Sequence, residues 1–578
     1  MTLYSMVKLA LMTVTSSLIL VQGLWAQCQT PPVQADFTAT TLFPLGYLKS
    51  PMGMDVAKDG RVFVVERSGR VIAYEPKNPT TPIVVGDLTS STYTYPNSKQ
   101  LDVGGVWTVA LSPNFLSDNW VYLFYAPKSG FNGIENHFTG KVDYRLSRFK
   151  ITAGNTLDTT SEQIVLTIPS NWNTHNGASL KFGKNDNLYL SLGDNNDAGC
   201  SDQYSPMDER LGNFWCDDQR STANTNSLNG KVLRIHPVEA MVNGLYYTIP
   251  DGNLFPVGMP KTRSEIYTMG HRNPYRIFPD PITERLYIGM NGPAAGSKSD
   301  RGPQGADLWE VTDGPANFGY PYFLKNLEPY CHWDYGTSSC KAFQGLPGTT
   351  NDPKAPVNFS PNNTGLNILP PVKPAILWES DGSQAADPVQ GLGTCGPGAG
   401  PVYHYDPSMV SKIKFPPFYN DKWWIYGVGG GWQPKLVTLD PPPAPLVAVT
   451  ASKVVNAHWG SLVSFSAWQM EMVYGPGDGA LYILDYGGGV FTDNSNSTVK
   501  RIGYRDCSEG IIIKPRVELT TTFSGFGGHM VRPPLGAKSI VVFDLTGKKV
   551  WEKKLNPIHQ EQLNLPGSEA NMLWLRYR

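Results

Sequence analysis

Short apolar–polar alternations organise this chain, and the stretch from residue 175 to 197 is the clearest of them. Leu180–Phe182 alternates with the period of a half-buried strand, and Leu188–Leu190 begins a return strand after a turn rich in Gly and Asn. A hairpin places the residue before its first strand near the residue after its second. We therefore expect His175 and Asp194 to meet.

A carboxylate beside an imidazole fixes the tautomer of the ring and holds it as a general base. His175 and Asp194 are therefore predicted to be catalytic, with His175 as the base. The structural alternative is that His175 caps a strand and Asp194 is an ordinary turn residue. The rest of the chain bears on that choice.

The same kind of hairpin occurs six times along the chain. Each unit would contain an inner hairpin, a loop and outer strands, which is the composition of a propeller blade. The pattern predicts an all-β fold, with a six-bladed β-propeller over residues 46–504. The alternative is a sandwich of unrelated antiparallel hairpins. The paired segments are Met54–Val56 with Val62–Val65, Trp107–Leu111 with Trp120–Leu123, Leu180–Phe182 with Leu188–Leu190, Tyr275–Phe278 with Arg285–Ile288, Val402–Tyr405 with Trp423–Tyr426, and Met470–Val473 with Leu481–Ile483.

Two segments depart from the hairpin pattern. Pro321–Pro374 is rich in Pro, Asn and Gly and is predicted to be a surface excursion. Residues 511–578 contain short alternating strands such as Ser539–Asp544 and Met572–Leu575, which predict a separate small β-sandwich.

Charge and hydropathy indicate which partners are not expected and where the protein is expected to be located. The 578 residues carry a formal net charge of -1, which gives no electrostatic reason to expect nucleic acid or an anionic membrane surface as a partner. Residues 1–26 have the composition of a secretory signal, with an apolar run at Leu9–Leu20. No later apolar run is long enough to span a bilayer. The chain is therefore predicted to be exported, to the periplasm, the cell surface or the medium of a bacterium.

Seven cysteines follow the predicted cleavage point. Cys200–Cys216 and Cys331–Cys340 are the local pairs expected to form disulfides, and at least one thiol is left over. The absence of a C-x-x-C pair gives a zinc site little support. No C-x-x-C-H motif is present, so any electron acceptor must be a separate molecule.

Four ordered motifs carry a family resemblance: His175-Asn176-Gly177, Gly193-Asp194, Gly270-His271-Arg272-Asn273-Pro274 and Asn317-Phe318-Gly319-Tyr320-Pro321. Together they resemble the soluble glucose/sorbosone dehydrogenase family. Its members are six-bladed propellers that use pyrroloquinoline quinone (PQQ). The resemblance extends over roughly Gly46 to Tyr504.

The resemblance implies a role for each matching residue. His175 would take the proton of the sugar's anomeric hydroxyl, and Asp194 would hold that histidine. Arg272 and Asn273 would contact the quinone oxygens of PQQ, where a guanidinium suits developing negative charge because it stays protonated. Asn291, which precedes Gly292 and is not matched to a family position, is also predicted to bind the cofactor.

The resemblance also implies a calcium ion, with the backbone carbonyls of Gly292 and Pro293 as its ligands, since carbonyl oxygens suit this hard cation. An ordinary turn at these two residues, and a structural ion pair for Arg272, are the alternatives. Relatives carry Arg or Lys for the PQQ carboxylates where this chain has Gly427–Lys435, and Lys435 is the cation that remains there. Val103 and Leu308 also replace polar residues of the family.

These observations predict an exported quinoprotein oxidoreductase that oxidises an aldose-type sugar with PQQ and calcium and passes electrons to an external acceptor. The alternative is a cofactor-less propeller that binds a glycan or a protein, because propellers host both functions. A hydrolase built on His175 is less favoured because no serine-containing elbow accompanies it. The segment Val541–Val550 resembles bacterial C-terminal sorting domains, with an accessory or carbohydrate-binding domain as the alternative.

Overall fold

The computed structural model describes most of the chain between residue 31 and residue 505, together with the strands of the C-terminal region. The described residues are 31–88, 103–127, 142–170, 175, 177–196, 199–382, 384–393, 396–428, 433–442, 444–465, 468–488 and 493–505, and then the backbone of 530–531, 539–543, 549–554, 563–564 and 574–577. The predicted signal segment lies outside these residues, as do Cys28, Cys395 and Cys507.

Strands account for nearly all the regular structure. The strands of the first half are β1 (Phe37–Thr41), β2 (Pro51–Val56), β3 (Val62–Glu66), β4 (Arg70–Glu75), β5 (Asn78–Asp87), β6 (Val103–Leu111), β7 (Trp120–Pro127), β8 (Val142–Ile151), β9 (Leu157–Ser170), β10 (Leu180–Phe182), β11 (Leu188–Leu192), β12 (Lys231–Val242), β13 (Leu245–Thr248), β14 (Ile266–Met269), β15 (Asn273–Pro279) and β16 (Leu286–Asn291). The remaining strands are β17 (Ala306–Thr312), β18 (Ala316–Asn317), β19 (Phe323–Leu324), β20 (Glu328–Pro329), β21 (His332–Asp334), β22 (Ser339–Lys341), β23 (Leu377–Ser380), β24 (Pro397–Val402), β25 (Lys422–Gly427), β26 (Lys435–Thr438), β27 (Val454–Asn456), β28 (Gln469–Tyr474), β29 (Leu481–Asp485), β30 (Thr498–Tyr504), β31 (Met530–Val531), β32 (Ser539–Phe543), β33 (Lys549–Lys554), β34 (Leu563–Asn564) and β35 (Trp574–Tyr577).

Helical structure in the described residues is limited to one turn of α-helix and several 3₁₀ turns. The α-helix is α1 (Phe115–Asp118), and the 3₁₀ turns are Gln34–Asp36, Lys184–Asp186, Cys200–Gln203, Phe214–Cys216, Asp218–Arg220, Pro417–Tyr419, Ala451–Lys453 and Gly460–Leu462. No helix among the described residues is long and apolar enough to cross a membrane.

Antiparallel meanders make up the large N-terminal unit. They are β2–β5, β6–β9, the series β10, β11, β12 and β14, and the series β28, β29, β30 and β1. An eight-stranded sheet contains two more, β15–β16–β17–β23 and β24–β27, which a single parallel pairing of Arg276 with Gly398 joins. β13 extends β12, and β18 pairs in parallel with β14.

The first strands of these meanders close a ring. β2, β6, β10, β15, β24 and β28 contact one another in this order, and β28 contacts β2 again. Apolar cores fill the space between neighbouring meanders, as where the rings of Tyr287 on β16 and Trp423 on β25 pack 4.8 Å apart. The fold is therefore all-β with a propeller-like arrangement.

Two strands differ from the sequence prediction. The strand predicted at Val402–Tyr405 lies instead at Pro397–Val402, where a Cβ on Gly398 would stand 2.2 Å from the Tyr426 ring. Glycine allows that close packing although it has low strand propensity. The glycine-rich stretch Pro397–Val402 therefore did not look like a strand in the sequence. β1 closes the last meander on β30 and precedes the predicted start at residue 46. A pairing between the two ends of a unit leaves no local signal.

The segment Pro321–Pro374 is more deeply packed than a surface excursion. It contains the pairs β19–β20 and β21–β22 and buries Tyr322 and Tyr330 almost completely. Asn358 of this segment donates to the carbonyls of Gln219 and Ala223. The predicted disulfides Cys200–Cys216 and Cys331–Cys340 are both present.

The chain divides into two compact units, Met1–Ser508 and Glu509–Arg578. The described strands of the second unit make a three-stranded antiparallel sheet, β33–β32–β35, and a separate pair, β31–β34. The predicted strands near residues 539–544 and 572–575 are thus present, whereas the sandwich and the domain boundaries stay predictions.

Arg276 connects the strands of the ring. Its side chain is buried, and its Nε lies 3.4 Å from the carboxylate of Glu471, which also pairs with Lys181 at 3.3 Å. The guanidinium donates to four backbone carbonyls: Met52 at 2.5 Å, Met470 at 2.5 Å, Ala178 at 3.3 Å and Tyr275 at 2.9 Å. Four segments of the ring therefore depend on one side chain.

We expect Arg276→Met to destabilise the N-terminal unit by about 3–5 kcal/mol, because it removes the buried donor of four backbone carbonyls and leaves Glu471 with the Lys181 pair alone. Urea unfolding of the full chain measures this loss. Lys453→Met is the control, since that lysine forms an exposed pair with Asp440 and its loss should cost about 1 kcal/mol or less. Equal losses in the two variants would contradict the central role of Arg276.

Candidate active site

The hairpin β10–β11 brings His175 and Asp194 together as the sequence predicts. Nδ1 of His175 lies 2.9 Å from Oδ1 of Asp194, and the two side chains are 11% and 1% exposed. A carboxylate accepts hydrogen bonds, so Nδ1 carries the proton and Nε2 is left to accept one from another molecule. The catalytic role of the pair stays a prediction.

Gly193 allows this close approach. A Cβ at this residue would stand 1.9 Å from the carbonyl oxygen of His175 and 2.8 Å from Oδ1 of Asn273. The Gly193 carbonyl also accepts from the backbone N–H of Gly230 at 2.7 Å. The glycine of the Gly193-Asp194 motif is therefore required by packing, and it places Asn273 beside His175.

Arg272 and Asn273 reach the site from the start of β15. The carbonyl of Arg272 accepts from the backbone N–H of Asp194 at 2.7 Å, and Asn273 pairs with Asn291 at the end of β16. Nη1 of Arg272 donates to Oδ1 of Asn291 and to the carbonyl of Gly292, each at 3.0 Å. The predicted cofactor and calcium residues are therefore contiguous with the His175–Asp194 pair.

Asp307 fixes the orientation of Asn291. It accepts from Nδ2 of Asn291 at 2.9 Å and from the backbone N–H of Gly396 at 3.1 Å. Burial raises the pKa of Asp307 to about 7. Because the Asn291 amide donates to Asp307, its oxygen faces Arg272.

His271, in the same motif as Arg272, has a structural role. It is fully buried, with Nδ1 2.7 Å from Glu310 and Nε2 2.8 Å from the hydroxyl of Thr268. Burial raises the pKa of Glu310. Both ring nitrogens are thus occupied, and the histidine anchors the segment that carries Arg272.

Sequence reasoning missed a second carboxyl group beside the pair. Asn196 donates its backbone N–H to Asp194 Oδ1 at 3.0 Å and its side-chain amide to Asp218 Oδ1 at 2.7 Å. Asp218 is fully buried, and neither its Oδ2 nor the hydroxyl of nearby Tyr320 has a well-formed hydrogen bond. The spacing of Asp194 and Asp218 along the chain matches no known motif, so the sequence offered no reason to pair them. Tyr320, in contrast, belongs to the Asn317–Pro321 motif identified above.

Lys435 lies apart from this group. It is on β26, the third strand of its meander, and its Nζ donates to Asn456 on β27 at 2.8 Å. Burial lowers its pKa. Leu308 is buried in the apolar core, and the side chain of Val103 lies outside the description. Among the described residues, the Lys435 ammonium therefore has no hydrogen bond or ion pair with the residues predicted to bind the quinone.

The calcium prediction depends on backbone carbonyls. The described residues contain no group of three or more His, Cys, Asp or Glu side chains placed to hold a metal ion. The Gly292 carbonyl accepts from Arg272, so a dication bound there would require the guanidinium to turn away. A Cβ on Gly305 would stand 2.1 Å from the Pro293 carbonyl, so that oxygen lies against the backbone of Gly305.

Buried polar atoms test whether a polar cofactor fits. Oδ1 of Asn273 is buried and has no hydrogen-bond partner among the described atoms, whereas the buried Tyr320 hydroxyl faces the Asp218 carboxyl group. An unpaired buried polar atom costs about 1–3 kcal/mol, which a bound polar molecule can offset. Arg272, Asn273 and Asn291 therefore fit the quinone end of PQQ. Lys435 supplies no cation at this end.

Comparisons with known proteins identify the family of this chain. The family described as Glucose / Sorbosone dehydrogenase matches residues 48–341, just over half of the chain. The chain belongs to this family. The matched region of this glucose/sorbosone dehydrogenase family member includes every predicted site residue except Lys435.

Individual relatives are distant. An uncharacterized protein of Synechocystis sp. is 24% identical over 276 residues, which cover 47% of this chain and 57% of that protein. Quinoprotein glucose dehydrogenase B of Acinetobacter calcoaceticus is 22% identical over 379 residues, 62% of this chain and 70% of that one. The chain thus spans little more than half the length of the first of these relatives.

Solved structures of similar fold include the PQQ-bound form of aldose sugar dehydrogenase from Streptomyces coelicolor. It has 17% identity and a TM-score of 0.46, with 82% of this chain and 99% of that one covered. The apo form of soluble aldose sugar dehydrogenase from Escherichia coli has 17% identity and a TM-score of 0.47, with 81% and 100% covered.

Gly193→Ala should disrupt the His175–Asp194 contact and lower the free energy of unfolding by about 1–3 kcal/mol, because the new Cβ overlaps a backbone carbonyl. Thermal unfolding measures the change. Gly314→Ala is the matched control, since a Cβ there would meet nothing within 4 Å. An unchanged melting temperature for Gly193→Ala would show that the close approach is not required.

Proposed function

We propose that this protein is an exported quinoprotein oxidoreductase that oxidises an aldose-type sugar hydroxyl with PQQ and calcium and passes electrons to a separate acceptor. Family membership supports sugar oxidation. The observation that carries the proposal is the contiguity of the His175–Asp194 pair with Arg272 and Asn273. The His175–Asp194 pair can take a proton from the substrate, while Arg272 and Asn273 face the negative charge that develops on the reduced quinone.

His175 acts as the general base. Asp194 holds the Nδ1 side of the ring, so Nε2 accepts the proton of the sugar hydroxyl as the carbon–hydrogen bond is broken. The 11% exposure of His175 leaves part of the ring accessible to a substrate. Asp194 stabilises the imidazolium that forms, which requires no movement of the carboxylate.

PQQ would supply the two-electron acceptor that receives the hydride equivalent. Arg272, Asn273 and Asn291 would hold its quinone end, and the carbonyls of Gly292 and Pro293 would ligate the calcium ion. Arg272 contributes a positive charge that Asn291 orients, and its guanidinium would release the Gly292 carbonyl when calcium binds. Lys435 is the remaining candidate for a cofactor carboxylate, and reaching it would require Lys435 to leave Asn456.

The same proposal includes the architecture and location of the protein. Six antiparallel meanders and the cyclic contacts of their first strands support a six-bladed propeller. Two disulfides support an oxidising compartment. Residues 1–26 would be the export signal and 511–578 a small β-sandwich with a sorting or accessory function.

A second candidate function is a propeller that binds a glycan or a protein without the cofactor. The position of Lys435 favours it, because a cofactor with three carboxylates needs cationic partners and the Gly427–Lys435 stretch carries a single one. Binding of PQQ to the purified protein separates the two candidates.

His175→Ala should lower dye-linked sugar oxidation by on the order of a hundredfold or more and leave PQQ binding largely unchanged, because a positioned base is lost. Asp194→Asn should cost less, since the ring remains. Steady-state kinetics with a panel of aldoses provides the measurement. His404→Ala is the control, since His404 pairs with Asp280 and Asp421 elsewhere in the fold. Near-normal turnover in His175→Ala would refute the catalytic assignment.

Calcium and PQQ should bind together, since one ion would contact the Gly292 and Pro293 carbonyls and the cofactor. We expect PQQ affinity in chelator-treated protein to rise at least tenfold when calcium is added, about 1.4 kcal/mol of coupling. Fluorescence titration with and without calcium measures it, with magnesium as the control ion. Equal PQQ affinities in the two titrations would argue against a shared site.

A further inference from the structure

Asp218 is a buried acid next to the candidate catalytic pair to which the proposed function gives no role. It begins the 3₁₀ turn Asp218–Arg220, and its backbone N–H donates to the carbonyl of Pro206 at 3.0 Å. Its own carbonyl accepts from the hydroxyl of Thr222 at 3.0 Å. The backbone therefore holds the carboxyl group in one place.

A continuous set of hydrogen bonds leads from Asp218 to the histidine. Oδ1 of Asp218 accepts from the Asn196 amide at 2.7 Å, and the Asn196 backbone N–H donates to Oδ1 of Asp194 at 3.0 Å. The same Asp194 oxygen lies 2.9 Å from Nδ1 of His175. Asn196 thus connects two carboxyl groups, one at its side chain and the other at its backbone.

We propose that Asp218 is an uncharged carboxylic acid that positions the Asp194–His175 pair through Asn196. The role of His175 as base in this inference rests on the proposed function. The hydrogen-bond geometry does not depend on it.

The surroundings of Asp218 explain why it is uncharged. Asp218 has no exposed surface, and its Oδ2 lacks a well-formed hydrogen bond, so an ionised form would be poorly compensated. The charged or titratable groups that face it are Asp194, Arg220, Arg272 and Tyr320. Burial, followed by repulsion from Asp194, raises the pKa of Asp218 well above its ordinary value, more than the Tyr320 hydroxyl and the two arginines lower it.

Arg220 does not act as a direct ion-pair partner of Asp218. Its Nε donates to the carbonyl of Phe214 at 2.8 Å, and its Nη2 donates to the carbonyl of Asn195 and, at 3.4 Å, to Oδ1 of Asn196. The guanidinium therefore holds the loop that carries Asn196. Arg220 and Asp218 therefore both hold Asn196 in position.

The charge state of Asp218 has a predictable effect on activity. A carboxyl group with a raised pKa is neutral at low pH and becomes charged as the pH rises through that value. Ionisation would place a second negative charge beside Asp194 and disturb the pair. Turnover should therefore fall on the alkaline side as Asp218 ionises.

Three variants test the proposal: Asp218→Asn, Asp218→Leu and the control Asp217→Asn. Asn is neutral and keeps an oxygen for the Asn196 amide, so kcat should stay within about threefold of wild type and the alkaline loss should disappear. Leu offers no acceptor, so kcat should fall at least about tenfold with KM little changed. Asp217 is equally buried but bonds to Ser360, Asn362 and Gln219, so its variant should retain the wild-type pH profile.

Two spectroscopic measurements on the cofactor-free protein do not depend on turnover. The infrared carbonyl band of a protonated carboxylic acid at neutral pH should be present in wild type and reduced in Asp218→Asn. The low-field proton signal of His175 Nδ1–H, assigned by its loss in His175→Ala, should persist in Asp218→Asn and weaken in Asp218→Leu.

These results separate the two hypotheses. A protein that oxidises no sugar but shows both spectroscopic effects would refute the proposed function and support the role of Asp218. Absence of the infrared difference, or equal loss of kcat in Asp218→Asn and Asp218→Leu, would overturn the inference. If Asp218→Leu does not fold, the infrared band and the pH profile of Asp218→Asn decide it.

Discussion

The buried guanidinium of Arg276 is the constraint on which the rest of this structure depends. It donates to carbonyls of four chain segments that are far apart in sequence, and it lies near Glu471. Two of those segments lead directly into the candidate site: Ala178 is three residues after His175, and Tyr275 is three after Arg272. The side chain that holds the ring together therefore also sets the distance between base and arginine.

Glycine makes that convergence possible. Gly193 and Gly292 lie where a Cβ would stand about 2 Å from a backbone carbonyl, on either side of Arg272. Backbone segments that approach this closely can exchange hydrogen bonds, and the Asp194 N–H bond to the Arg272 carbonyl is one result. The functional groups are thus placed by backbone contacts, with few rotatable bonds between them, which favours preorganisation.

The charged residues around His175 are distributed unequally. Arg272, Asn291 and Asp307 form one hydrogen-bonded series, and Asn196 and Asp218 form another that reaches Asp194. The first series presents positive charge to a ligand, whereas the second supports the histidine pair without adding a charge. Lys435 belongs to neither series, because its ammonium donates to Asn456.

The sequence by itself determined the local features: five of the six hairpins, both disulfides and the meeting of His175 with Asp194. Alternation, turn residues and short spacing specify contacts between neighbours in the chain. Only the tertiary structure decided the strand at Pro397–Val402, the closing pair β1–β30 and the approach of Asp218 to Asn196. Those depend on ring closure and on side chains such as Tyr426 packing over glycine, which join residues far apart in sequence and leave no periodic signal.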